Sequence, residues 1–187
     1  MTTPSGPTKA HTIPSPPDWP DPYLTSVEMN KISTMLSFLS FRAGGFCQLT
    51  NTVPHDIPPD SDYPIAMENE EVDRDGGHSD QENTSRYVVK TPGNYLIAGT
   101  AALAVNGTGF RASKLMVNGG EANPITLAIT QRAAMTGIEP FMPVGPRIAR
   151  LAVSDYVELR VRQNSGNTIQ TSVADGGSSL TVVWIGA

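Results

Sequence analysis

The chain has 187 residues, 17% of them charged, with 17 glycines and 16 prolines, a balance that favours short strands and tight turns over long solvated helices. A formal net charge of −5 without any Lys/Arg-rich run argues against nucleic-acid binding through phosphates. The single cysteine, Cys47, excludes an internal disulfide and a cysteine-based zinc site, and no run approaches the roughly 18 apolar residues of a membrane span.

Residues 1–23 hold seven of the 16 prolines. Proline fixes φ and removes a donor, so this stretch is predicted to be an extended arm rather than a helix or inner strand. Trp19 and Tyr23 favour an arm laid across a neighbour, because bare aromatics on a free arm are costly. The first 20 residues lack the basic start and apolar core of a signal peptide, so a protein made in the cytosol is expected.

Residues 24–44 form a helix and connector. Thr25 and Glu28 have capping-box spacing, and Val27, Met29, Ile32, Met35, Leu36 and Leu39 fall on helical spacing over 25–41. Ile32, Met35 and Leu36 join Trp19 and Tyr23 as expected anchoring residues. Two readings of the helix stand side by side: packing on its own domain, or a three-helix contact between subunits.

Residues 45–187 form the main domain. Phe46–Thr50 suits a first strand, and the acidic stretch Glu68 to Asp80 reads as a long surface loop. From Arg86 onward the period is two. Strands are predicted over Tyr87–Val89, Tyr95–Val105, Arg111–Val117, Ile125–Thr130, Arg147–Leu151, Tyr156–Arg162, Thr168–Val173 and Leu180–Ile185, separated by turn signals such as Asn106-Gly107 and Asn118-Gly119. In Tyr156–Arg162, Val157, Leu159 and Val161 point inward, and Glu158 points outward as an ordinary surface charge. Tyr95–Val105 carries little charge on either face, so both faces are expected to be covered, one by the core and one by another subunit. Tyr95, Ile97, Leu103 and Val105 are the expected interface residues. The pattern is that of an all-β sandwich or jelly roll.

Four segments carry a resemblance. Gly93-Asn94-Tyr95-Leu96-Ile97-Ala98-Gly99, the turn Asn118-Gly119, Val153-Ser154-Asp155-Tyr156-Val157-Glu158-Leu159 and the closing Leu180-Thr181-Val182-Val183-Trp184-Ile185-Gly186 resemble strands and turns of complement C1q/TNF-like jelly rolls, with Ser154 where that pattern has glycine. The order of Asp73-Arg74-Asp75-Gly76-Gly77-His78, Ser85-Arg86-Tyr87-Val88-Val89, Gly93-Asn94-Tyr95 and Asn106-Gly107-Thr108-Gly109-Phe110-Arg111 resembles bacteriophage tail and head appendage proteins, as does the start Asp21-Pro22-Tyr23-Leu24-Thr25-Ser26-Val27-Glu28-Met29-Asn30.

The resemblance implies a homotrimer in a virion, made in the host cytoplasm, that touches other virion proteins and a host cell-surface glycan or protein. A minor tail or tail-tip component is expected first and a capsid decoration protein at three-fold sites second. A virion-associated glycan hydrolase is a more distant third, since no carboxylate pair stands out.

Non-enzymatic function is expected, because no nucleophile elbow, zinc-protease, phosphate-loop or dinucleotide motif occurs and no cofactor is called for. Asp73, Asp75 and His78 are weak candidates for a Ca²⁺ site, lacking the EF-hand spacing. Arg111, Arg147, Arg150, Arg160 and Arg162 are candidates for pairing with Glu158, Asp155 and Asp175 across subunits.

Overall fold

The computed structural model describes residues 25–39 and 44–187. Trp19 and Tyr23, and with them the expected arm, lie outside the described residues. The chain divides into a unit ending at Leu36 and a second unit, Ser37–Ala187.

Helix α1 spans Ser26–Leu39. Its start is the expected capping box: the Thr25 N–H donates to Glu28 Oε2 (2.8 Å), and the Glu28 N–H donates to Thr25 Oγ1 (3.3 Å). Val27, Met29, Met35 and Leu36 are exposed, and Ile32 is partly covered.

The second unit is an antiparallel sandwich. One sheet is built from β1 (Phe46–Thr50), β4 (Asn69–Asp73), β6 (Gly93–Ala102), β9 (Phe141–Leu151) and β12 (Ser179–Gly186), in the order β4-β1-β12-β6-β9. The other contains β3 (Tyr63–Pro64), β7 (Phe110–Val117), β8 (Ile125–Ala133) and β10 (Tyr156–Gln163), in the order β3-β10-β7-β8, with β5 (Arg86–Val88) also pairing β10. A small ribbon joins β2 (Asp56–Ile57) to β11 (Ile169–Gln170). Leu49, Tyr95, Ile97, Leu180 and Val182 from the first sheet form one core cluster with Leu115, Val157, Leu159 and Val161 from the second. Alternation in β10 is as expected, with Val157, Leu159 and Val161 buried; in β12, Val182 and Trp184 share the inner face.

The clearest departures from the sequence reading are β4, β9 and β11. The supposed loop Glu68–Asp80 contains β4, an edge strand on β1. An edge strand has solvent on several sides, so it shows no apolar alternation, and its charges discourage further pairing. Strand β9 begins at Phe141 rather than Arg147; Pro143 and Pro146 disguise it, and both are tolerated because β9 is an edge strand whose pairing with β6 shifts register between Ile97 and Gly99. The expected strand Thr168–Val173 shrinks to Ile169–Gln170, although Leu103 still bridges Thr171.

Two positions explain the motif residues. Gly93 has φ +149°, and a Cβ there would stand 2.4 Å from Gly186 O and from Trp184 Nε1, so the Gly-Asn-Tyr signature needs its glycine for close approach. Ser154 has φ +74°, the left-handed region. That conformation accounts for glycine at this place in the jelly-roll pattern.

Candidate functional site

The outer face of the first sheet presents an apolar row. Phe46 lies opposite Val183, Val183 opposite Leu96, and Leu96 opposite Ile148. Directly paired residues point to the same side of a sheet. Since Cys47, Tyr95, Ile97, Val182 and Trp184 occupy the core side, these four side chains stand on the opposite face of four adjacent strands, about 14 Å across at roughly 4.8 Å per strand. Leu96 is 37% and Ile148 66% exposed, while Phe46 and Val183 are half-buried. Ile185, two residues beyond Val183, adds exposed apolar surface, and the Arg74 guanidinium lies 5.5 Å from the Phe46 ring centroid. A contiguous apolar row of this kind, unlike a scattered exposed side chain, marks an interaction surface.

Three of the four expected interface residues are buried within the single chain. Tyr95, Ile97 and Leu103 have no accessible surface within the single chain. Tyr95 packs 6.2 Å from the Tyr87 ring and donates its hydroxyl to Thr91 O at 2.6 Å. Both faces of the strand are apolar, so composition alone does not say which one turns inward; the interior takes Tyr95 and Ile97 and leaves Leu96 outside. Val105 is exposed but lies beyond the end of β6.

The metal candidates are directed elsewhere. Asp73 accepts the backbone N–H groups of Gly77 (3.2 Å) and His78 (2.8 Å), closing a turn. Asp75 accepts the Tyr87 hydroxyl at 2.9 Å. The ring nitrogens of His78 face Arg86 O and Met67 O. Among the described residues no group of three or more metal-ligating side chains converges.

The outer face of the second sheet holds a charge cluster formed within one chain. Glu158, only 1% exposed, accepts from Arg86 Nε (3.0 Å), Arg160 Nε (2.8 Å) and Ser85 Oγ (3.0 Å). Its orientation is the expected outward one, but the turn at Asn118-Gly119 covers it: a Cβ at Gly119 would lie 2.7 Å from both Glu158 Oε2 and Arg160 Nε. Arg111 is wholly buried and donates to the carbonyls of Asn106, Thr108 and Phe110.

A second carboxylate organises the loop after β1. Glu68 Oε2 accepts from Thr52 N (2.9 Å), Val53 N (3.3 Å) and Asn51 Nδ2 (3.1 Å), and Oε1 meets the His55 ring. Burial pushes the Glu68 carboxyl up, but the Thr52 N–H, the His55 ring and the Val53 N–H outweigh it and hold the group below its ordinary value.

Sheet order, strand count and core together define a β-jelly-roll of the C1q/TNF-like type. Among solved structures, the chain is similar to murine APRIL (TM-score 0.57, 15% identity, 75% of this chain and 98% of that one). It is likewise similar to the globular domain of zebrafish complement 1qA protein (TM-score 0.54, 14% identity, 76% of this chain and 97% of that one). No family model and no curated protein matches the sequence. At these identities the likeness concerns the fold.

Proposed function

We propose that the chain is a non-enzymatic structural and binding protein of a bacteriophage virion, a homotrimer on the tail or tail tip whose jelly-roll loops meet a host surface. The observation that carries the trimer is the row Phe46–Val183–Leu96–Ile148. Fully burying a Leu or Ile contributes about 1.5–3 kcal/mol relative to leaving it in water, so a face with several such residues favours association. A second copy is the occupant that fits, because C1q/TNF-like domains form trimers and closed rotational symmetry repeats one interface without open ends.

The virion setting rests on the order of the appendage-like motifs between Asp73 and Arg111. Immunogold labelling of purified particles tests it. Gold on the tail supports the reading, and gold over the capsid replaces the tail with a decoration role at three-fold sites. Particles without label contradict a virion location.

A further inference from the structure

Loop residues 76–83 and strand β5 enclose a polar cleft of about 270 Å³, lined by His78, Ser79, Asn83, Arg86 and Lys90 among others, with Glu82 as the carboxylate in its wall. Period-two geometry turns Tyr87 and Val89 into the core, where both are fully buried, and so places Arg86, Val88 and Lys90 on the other side of this segment. The cleft is preformed, because the Val88 N–H donates to Gly77 O at 2.7 Å and Asp73 pins Gly77 and His78 by their N–H groups.

Three cations meet two carboxylates in and beside the cleft: Arg86 and Arg160 share the carboxylate of Glu158, and Glu82 stands in the wall with Lys90, which leaves a net charge of +1 on an acidic chain. Lys90 is exposed and makes no ion pair among the described residues. His78, 8% exposed, directs Nδ1 to Arg86 O (2.7 Å) and Nε2 to Met67 O (3.0 Å).

We propose that this cleft binds the carboxylate of one acidic sugar unit, with Arg86 and Lys90 facing the anion and Ser79 and Asn83 the hydroxyls. The proposal deepens the host-surface reading and rests on it. The volume lies just under the roughly 300–1,000 Å³ of pockets that enclose drug-sized ligands, which suits a terminal residue rather than a long chain. Amide and hydroxyl side chains beside two cations match a carboxylated sugar better than an apolar ligand.

The test titrates the full chain calorimetrically with glucuronate, glucose and inorganic phosphate, with the oligomeric state measured on the same sample. Glucuronate is expected to bind, glucose not to, and phosphate at least tenfold more weakly than glucuronate. Lys90→Glu, at an exposed position, is expected to weaken glucuronate binding at least tenfold at unchanged melting temperature, and Lys90→Gln by less. Equal binding of glucuronate and glucose, equal binding of phosphate, no binding of glucuronate, or an unaltered affinity in Lys90→Glu each overturns the site. A trimer that fails to bind overturns this inference alone; a monomer that binds overturns the trimer alone.

Discussion

Glu158 and Leu159 are neighbours in β10 that point to opposite faces of the sheet, yet neither reaches solvent: they are 1% and 0% exposed. Leu159 lies between the sheets, and Leu159→Ala is expected to cost about 2–5 kcal/mol. Glu158→Ala leaves Arg86 and Arg160 without their shared carboxylate. Those side chains keep 28% and 13% of their surface, so water partly replaces the lost partner and the expected cost is about 2 kcal/mol. Urea unfolding of both variants checks this; a Glu158→Ala chain within about 0.5 kcal/mol of wild type, as for an ordinary surface site, contradicts the covered triad.

Ser154 occupies the left-handed region at φ +74°. A Cβ there costs about 1–2 kcal/mol, part of which is returned by the greater freedom of glycine in the unfolded chain. Ser154→Gly is therefore expected to raise stability by about 0.5–1 kcal/mol, read as a higher urea midpoint at unchanged slope. A lower midpoint contradicts the assigned turn.

Glu68 supplies an acid-sensitive fastening for the loop after β1. A carboxyl held lower in the folded chain binds its proton more weakly there than when unfolded. Its contribution is complete above the ordinary Glu value of about 4.3 and is lost as pH falls through the folded value. Glu68→Gln is expected to be less stable than wild type near pH 6, with the gap closing as the pH approaches about 3. A gap independent of pH contradicts the arrangement.

Asp75 has the opposite sign. Burial pushes its carboxyl up and the charge of Asp73 adds to this, against the hydroxyl donated by Tyr87; its Oδ1 is buried without a hydrogen-bond partner. The ionised form is disfavoured in the fold, so stability is fully present below the ordinary Asp value, about 3.9, and falls as pH rises through the folded value. Asp75→Asn retains an acceptor for Tyr87. It is expected to raise the melting temperature near pH 7 and to lose that gain at about pH 3.5 and below; a destabilised variant near pH 7 contradicts it.

Where large apolar and charged side chains alternate, the pattern is legible, as in β10, whose alternation sends Val157, Leu159 and Val161 inward. It fails at the edges: β4 has no buried face to alternate against, and the prolines of β9 read as loop until its edge position is known. Asp73, Asp75 and His78 look convergent because they are close in sequence, but the turn at Gly76-Gly77 sends each to a different partner. The apolar row hides for the opposite reason. Phe46, Leu96, Ile148 and Val183 are far apart along the chain and meet only through the sheet order, although the apolar second face of the Tyr95–Val105 segment already signals that something covers it.

The most direct measurement is sedimentation velocity of the wild-type chain at micromolar concentration beside a Leu96→Asp, Ile148→Asp double variant. Both positions are exposed in the single chain, so charge there is compatible with the folded jelly roll but costly at an interface that removes it from water. Wild type is expected at three times the chain mass, and the variant at one chain mass with an unchanged far-ultraviolet circular dichroism spectrum. A wild-type monomer, or a variant that still sediments as a trimer, contradicts association through this face.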